Sequence, residues 1–147
     1  MTTDTRESPD KLSIVVFSGE FDKIHYALVM ASAAAAIDIP ATLFFTMGAS
    51  RALLAEPSWR SLPAGEIGSE GETAGDVDDG FKKRTVADFE DLLQACTSLG
   101  VKFMVCDMGL RAMDLEGAIL RQDIPIQTGG MVTFLSDAKA RGQMVFI

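Results

Sequence analysis

Apolar positions along this chain form two kinds of run, and the two kinds alternate. Leu12 to Phe17 (LSIVVF) is continuous, β-branched and aromatic, and Ser18-Gly19 closes it, which predicts a central strand covered on both faces. From Phe21 the apolar residues recur at helical spacing, as Phe21, Ile24, Leu28, Ala31 and Ala35, with Asp22 placed to favour the positive helix start. The small residues from Ala31 to Ala36 let such a helix lie close to a sheet. Asp38-Ile39-Pro40 breaks it, and Ala41 to Thr46 (ATLFFT) is a second continuous run that stops at Met47-Gly48. Strand, helix and strand in this order make a βαβ unit.

The middle of the chain is less regular. A short helix is expected at Ser50 to Ala55, after which Pro57, Pro63 and repeated glycines interrupt every period. Gly65 to Gly80 holds five glycines and six acidic residues with no basic residue among them, so residues 57–85 are expected as a mobile, acidic, Gly-rich loop. Helical spacing returns from Val86 to Leu99, with Cys96 on the apolar stripe and Gly100 as the stop. Val101 to Val105 (VKFMV) predicts a third strand ending at Cys106, followed by a short helix from Asp107 to Met113. Ile124 to Gln127 reads as a strand, Gly130 to Ala140 as a helix and Gln143 to Ile147 as a last strand. Strands alternating with helices predict an α/β fold: a mainly parallel, doubly wound sheet of about five strands with helices on both faces.

Composition narrows the picture. At 147 residues the chain accommodates one core, expected as a single domain over 12–147 behind a flexible polar tail at 1–11. The tail has no apolar segment of a secretory signal, which points to the cytoplasm. A net charge of -8 disfavours nucleic acid and anionic lipid as partners. Tyr26 to Ile37 is too short to cross a bilayer, so no membrane insertion is expected. The run Asp76-x-Asp78-Asp79-Gly80 superficially suggests a calcium loop, but its glycine comes one position early and no closing glutamate follows. Dinucleotide, triphosphate, serine-hydrolase and zincin motifs are absent, and no cofactor or metal is expected.

Two cysteines are too few for a disulfide framework and wrongly spaced for a redox pair or zinc site, leaving single-thiol chemistry. Cys106 stands at a strand end, where α/β proteins bind ligands, and at a helix start, where free N–H groups and the helix dipole favour thiolate over thiol. The neighbouring Asp107 carboxylate opposes that effect unless it turns to cap the helix. The competing reading of Cys106 is a small buried hydrophobe. Gly19, Lys23 and His25, in and after the turn following the first strand, are expected near the same edge, His25 as a base or anion contact or else an exposed helix-surface residue.

Taken together, IVVFSGEFDK, FFTMG, LGVKFMVCDM around Cys106, GGMVTFL and the closing MVFI resemble the DsrE-like family, particularly its DsrE2 branch, often labelled peroxiredoxin-like. The resemblance implies a three-layer α/β/α fold, assembly into trimers or hexamers, and sulfur trafficking through a cysteine persulfide. Cys106 alone matches the family's cysteine. Gly48, Met108, Gly129 and Gly130 fall in the matching segments around it, while Gly109, Leu110 and Asp114 depart from the family's usual run after that cysteine. The expected function is a sulfur relay between a donor and an acceptor protein, with a persulfide on Cys106. The alternative is a non-catalytic oligomeric module that binds a small ligand or protein. Met108, Leu110, Met113 and Leu115 are too apolar for a wholly solvated segment and predict self-association.

Overall fold

In the computed structural model, which describes residues 7–147, five parallel strands form one sheet. They are β1 (Leu12–Val16), β2 (Ala41–Phe45), β3 (Lys102–Cys106), β4 (Ile126–Gly129) and β5 (Gln143–Phe146), in the order β4-β3-β2-β1-β5. Helices α1 (Phe21–Ala36), α2 (Ala74–Lys83), α3 (Phe89–Ser98), α4 (Asp107–Ala112) and α5 (Met131–Asp137) alternate with them. The middle strand is β2, so β1 is an inner strand beside the β5 edge and not the centre expected of it.

Strands β1 to β4 step across the sheet in one direction, so right-handed crossovers put their helices on one face. The return from β4 to β5 runs the other way and carries α5 to the opposite face. Alternation along the strands divides the core accordingly. Ile14, Val16, Leu43, Phe45, Phe103 and Val105 join a large cluster with α1, α2 and α3. Val15, Phe44, Met104 and Cys106 form a small one with Phe134 of α5.

The stretch expected as an irregular acidic loop contains helix α2. Thr73 and Asp76 make a reciprocal capping box, and Ala74, Val77 and Phe81 supply a packing stripe. The acidic run itself divides its duties. Asp76 caps, Asp78 accepts the Phe89 N–H at 2.8 Å from a buried position, and Asp79 pairs with Arg60 at 3.0 Å.

Helix α3 begins later than its periodicity suggests, because Asp88 accepts from the Asp91 N–H and caps it there. It ends at Gly100, whose φ of 83° lets the Val101 N–H reach back to the Cys96 carbonyl. Strand β4 lies two residues beyond its expected start, and α5 stops at Asp137 instead of Ala140. Of the expected tail, residues 1–6 lie outside the described residues. Asp10 and Lys11 are held against the body, Asp10 N–H on the Arg141 carbonyl at 3.1 Å and Lys11 on Asp137 at 2.7 Å. Among the described residues no helix is long and apolar enough to cross a membrane.

Candidate functional site

The C-terminal edge of the sheet gathers two close approaches and two looser neighbours. Gly19 after β1 and Gly48 after β2 lie backbone to backbone, and a Cβ on Gly19 would sit 3.2 Å from the Gly48 carbonyl carbon. Gly109 in α4 presses on the turn after β2, where a Cβ would come within 2.6 Å of Thr46 Oγ1 and 2.8 Å of Met47 N. Gly129 pairs in register with Cys106. A Cβ on Gly130 would stand 3.8 Å from Asp107 Oδ1. Gly19, Gly48, Asp107, Gly129 and Gly130 therefore line this edge, with Met108 exposed beside it.

Cys106 ends β3 and caps α4, and its Sγ accepts the Gly109 N–H at 3.3 Å. The bond ties the thiol sulfur to the first turn of α4. Gly109, which the sequence marks only as a departure from the family run, is thus the residue that brings a donor to the thiol. Its missing side chain is what permits the approach. Asp107 Oδ1 accepts its neighbour Met108 N–H at 2.8 Å, which turns the carboxylate toward the helix start.

The thiol is more enclosed than a strand-end position suggests. Cys106 is 3% exposed, packed in the apolar cluster with Val15, Phe44, Met104 and Phe134. A cleft of about 460 Å³ lies elsewhere, around Val101, Lys102 and Gln127 at the opposite end of β3. Cys96 is buried between α3 and α1, and burial pushes its thiol up to about 12, so it is inert at neutral pH.

Two predicted site residues are not brought to Cys106. His25 packs on the other face of the sheet, between Phe21 and Phe81, where its Nε2 donates to the Ala87 carbonyl at 2.8 Å. It is buried, neither a base beside the thiol nor an exposed surface histidine, because α1 turns it toward α2. Lys23 is half-buried and pairs with Glu20 at 2.7 Å. The predicted self-association segment is also redistributed. Met108 is exposed, but Leu110 packs against the large core, and Met113 and Leu115 are half-buried. The broader apolar surface is formed by Phe17, Val132, Leu135, Met144 and Phe146, none of which composition alone singled out.

This architecture has known counterparts. The crystal structure of the ychN protein from E. coli superposes with a TM-score of 0.54 at 14% identity, covering 94% of this chain and 99% of that one. The uncharacterized protein YrkE of Bacillus subtilis (strain 168) is 26% identical over an alignment that takes in 96% of this chain and 99% of YrkE. The sequence profile of the DsrE/DsrF-like family, a family associated with sulfur relay, matches residues 10–140. The chain belongs to the DsrE/DsrF-like family.

Proposed function

We propose that the protein is a sulfur relay that carries a persulfide on Cys106. The observation that carries this reading is the hydrogen bond from the Gly109 N–H to Cys106 Sγ, on the only thiol at the ligand-binding edge of the sheet. The Cys106 thiolate attacks the terminal sulfur of a donor persulfide. An S–S bond forms on Cys106, the donor's S–S bond breaks, and the donor leaves as thiolate while the transferred sulfur keeps its proton. An acceptor thiolate then takes that sulfur by the same exchange and returns Cys106 as thiolate. Sulfur changes carrier without net oxidation, so no cofactor is required.

Donor and acceptor are proteins met through the apolar surface around the site, in the cytoplasm, where free thiols persist. We assign the chain to the DsrE2 branch and expect a homo-oligomer. Phe17, Met144 and Phe146 support that assembly, because all three are exposed and the Phe146 ring, 69% exposed, lies tilted against Phe17 with centroids 5.2 Å apart.

The burial of Cys106 favours a second reading, a non-catalytic binding module in which this cysteine only fills space. Intact mass after incubation with a polysulfide separates the two. The relay reading expects a sulfur adduct on native protein that disappears in Cys106→Ser. No adduct, or one confined to Cys96, selects the module.

A further inference from the structure

Helix α5 covers the face on which Cys106 lies, and its hold on the body is narrow. Phe134 is its one buried residue, with its ring stacked on Phe44 at 4.8 Å in the cluster that includes Cys106. At its last residue, Asp137 Oδ2 accepts from Lys11 Nζ at 2.7 Å and from Thr42 Oγ1 at 2.6 Å, and Oδ1 accepts from Lys102 Nζ at 2.6 Å. These partners stand at the starts of β1, β2 and β3, the end of the sheet opposite Cys106. Burial pushes the Asp137 carboxyl up, but the bonds from Lys102, Lys11 and Thr42 outweigh it and hold the group well below the usual carboxylate range. The carboxylate therefore stays charged at neutral pH.

Little else fixes the helix. It has seven residues, too few for stability of its own, and begins at Gly130 without a side-chain cap. Its outer side is bare, with Val132 79% exposed and Leu135 half-exposed. One ring at the middle and one carboxylate at the end thus hold the helix to the face.

We propose that α5 is a gate over Cys106, latched by the ion cluster of Asp137 with Lys11 and Lys102. With the latch made, Phe134 seals the cluster and the thiol is closed to a donor. With the latch released, α5 lifts at its C-terminal end, Phe134 leaves Phe44, and the face over Cys106 opens to solvent. As regulation of the same thiol the gate rests on the relay reading, although its geometry does not.

The test is time-resolved iodoacetamide labelling with peptide mass mapping, in native protein, Asp137→Asn and Lys102→Met. Asp137→Asn is expected to label Cys106 about tenfold faster, equivalent to about 1.4 kcal/mol of closure, while Cys96 keeps its native rate. Lys102→Met removes one partly exposed partner and is expected to give about a threefold rise. A folded Asp137→Asn that labels Cys106 at the native rate overturns the gate, and so does a parallel rise at Cys96, which signals general loosening. Should Asp137→Asn fail to fold because it leaves buried Lys11 unpaired, Lys102→Met decides: a rise confined to Cys106 supports the gate and the native rate overturns it. Labelling reports access and thiolate fraction, not sulfur transfer. A variant that opens Cys106 yet acquires no sulfur from polysulfide leaves the gate standing and removes the relay.

Discussion

The two faces of the sheet are built to different depths. On one, α1, α2 and α3 bury Phe21, Phe45, Phe89 and Phe103 with Trp59 in an aromatic and aliphatic core. On the other, a single seven-residue helix lays one ring over four strand residues, and Phe146 and Met144 stand bare beside it. The cysteine at the C-terminal edge of the sheet faces the thin side, and the inert cysteine faces the thick one. Depth of packing sets the free energy of local opening, so the thick face secures the fold while the thin face opens at lower cost.

Matching substitutions on the two faces test that contrast most strongly. Phe21 is buried against Trp59, Phe89 and Phe81, and Phe21→Ala is expected to cost about 4 kcal/mol, a large part of a small domain's stability. Phe134 is equally buried, yet Phe134→Ala is expected to cost about 2 kcal/mol, because α5 can come away by itself. Urea midpoints measure both. Cys106 labelling should quicken in Phe134→Ala with Cys96 unchanged. Equal losses of stability in the two variants would show that the faces do not differ in the way described.

A smaller effect is expected at the hinge between them. The Cβ of Gly109→Ala meets Met47 N at 2.8 Å, so α4 must shift off the turn after β2, at a cost of about 1.5 kcal/mol. The shift lengthens the bond from residue 109 N–H to Cys106 Sγ. A native urea midpoint in this variant would mean that α4 is free to move and does not set the donor.

The smallest expected effect probes whether the thick face is fully satisfied. Asp78 is 1% exposed, with Oδ1 on the Phe89 N–H and no partner for Oδ2 among the described residues. Burial pushes its carboxyl up, partly offset by the Phe89 bond. Folding therefore favours the protonated form, and the contribution is fully present below the ordinary carboxylate pKa of about 4 and lost as pH rises through the raised folded value. Asp78→Asn does not titrate. Its stability advantage over native protein should widen from acid to neutral pH, reaching about 1 kcal/mol. A gap in urea midpoints that narrows over that range contradicts the assignment.

Much of this was legible along the chain. LSIVVF, ATLFFT and VKFMVC had to be strands because continuous β-branched and aromatic runs bounded by glycine and proline have no other economical packing, and Cys106 had to end one of them. Helix α2 was not legible from composition, since a Thr73–Asp76 capping box and the spacing of Ala74, Val77 and Phe81 outweigh the two glycines within it, Gly75 and Gly80. His25 was misplaced because helical spacing gives a residue's angle around α1 but not which neighbour that angle meets.

The sequence by itself determined the alternation of strands and helices, their parallel arrangement, and the position of the thiol at a strand end, because these depend on local periodicity and short connections. The tertiary structure alone decided that Cys106 faces the thin side and that Gly109 supplies its donor. It also decided that Asp137 draws Lys11 and Lys102 to the end of α5 and that His25 lies across the sheet. Apart from the Gly109 bond, which joins residues only three apart, each of those is a contact between segments far apart in the chain, set by how strand order and crossover hand bring faces together, and no local pattern carries that information.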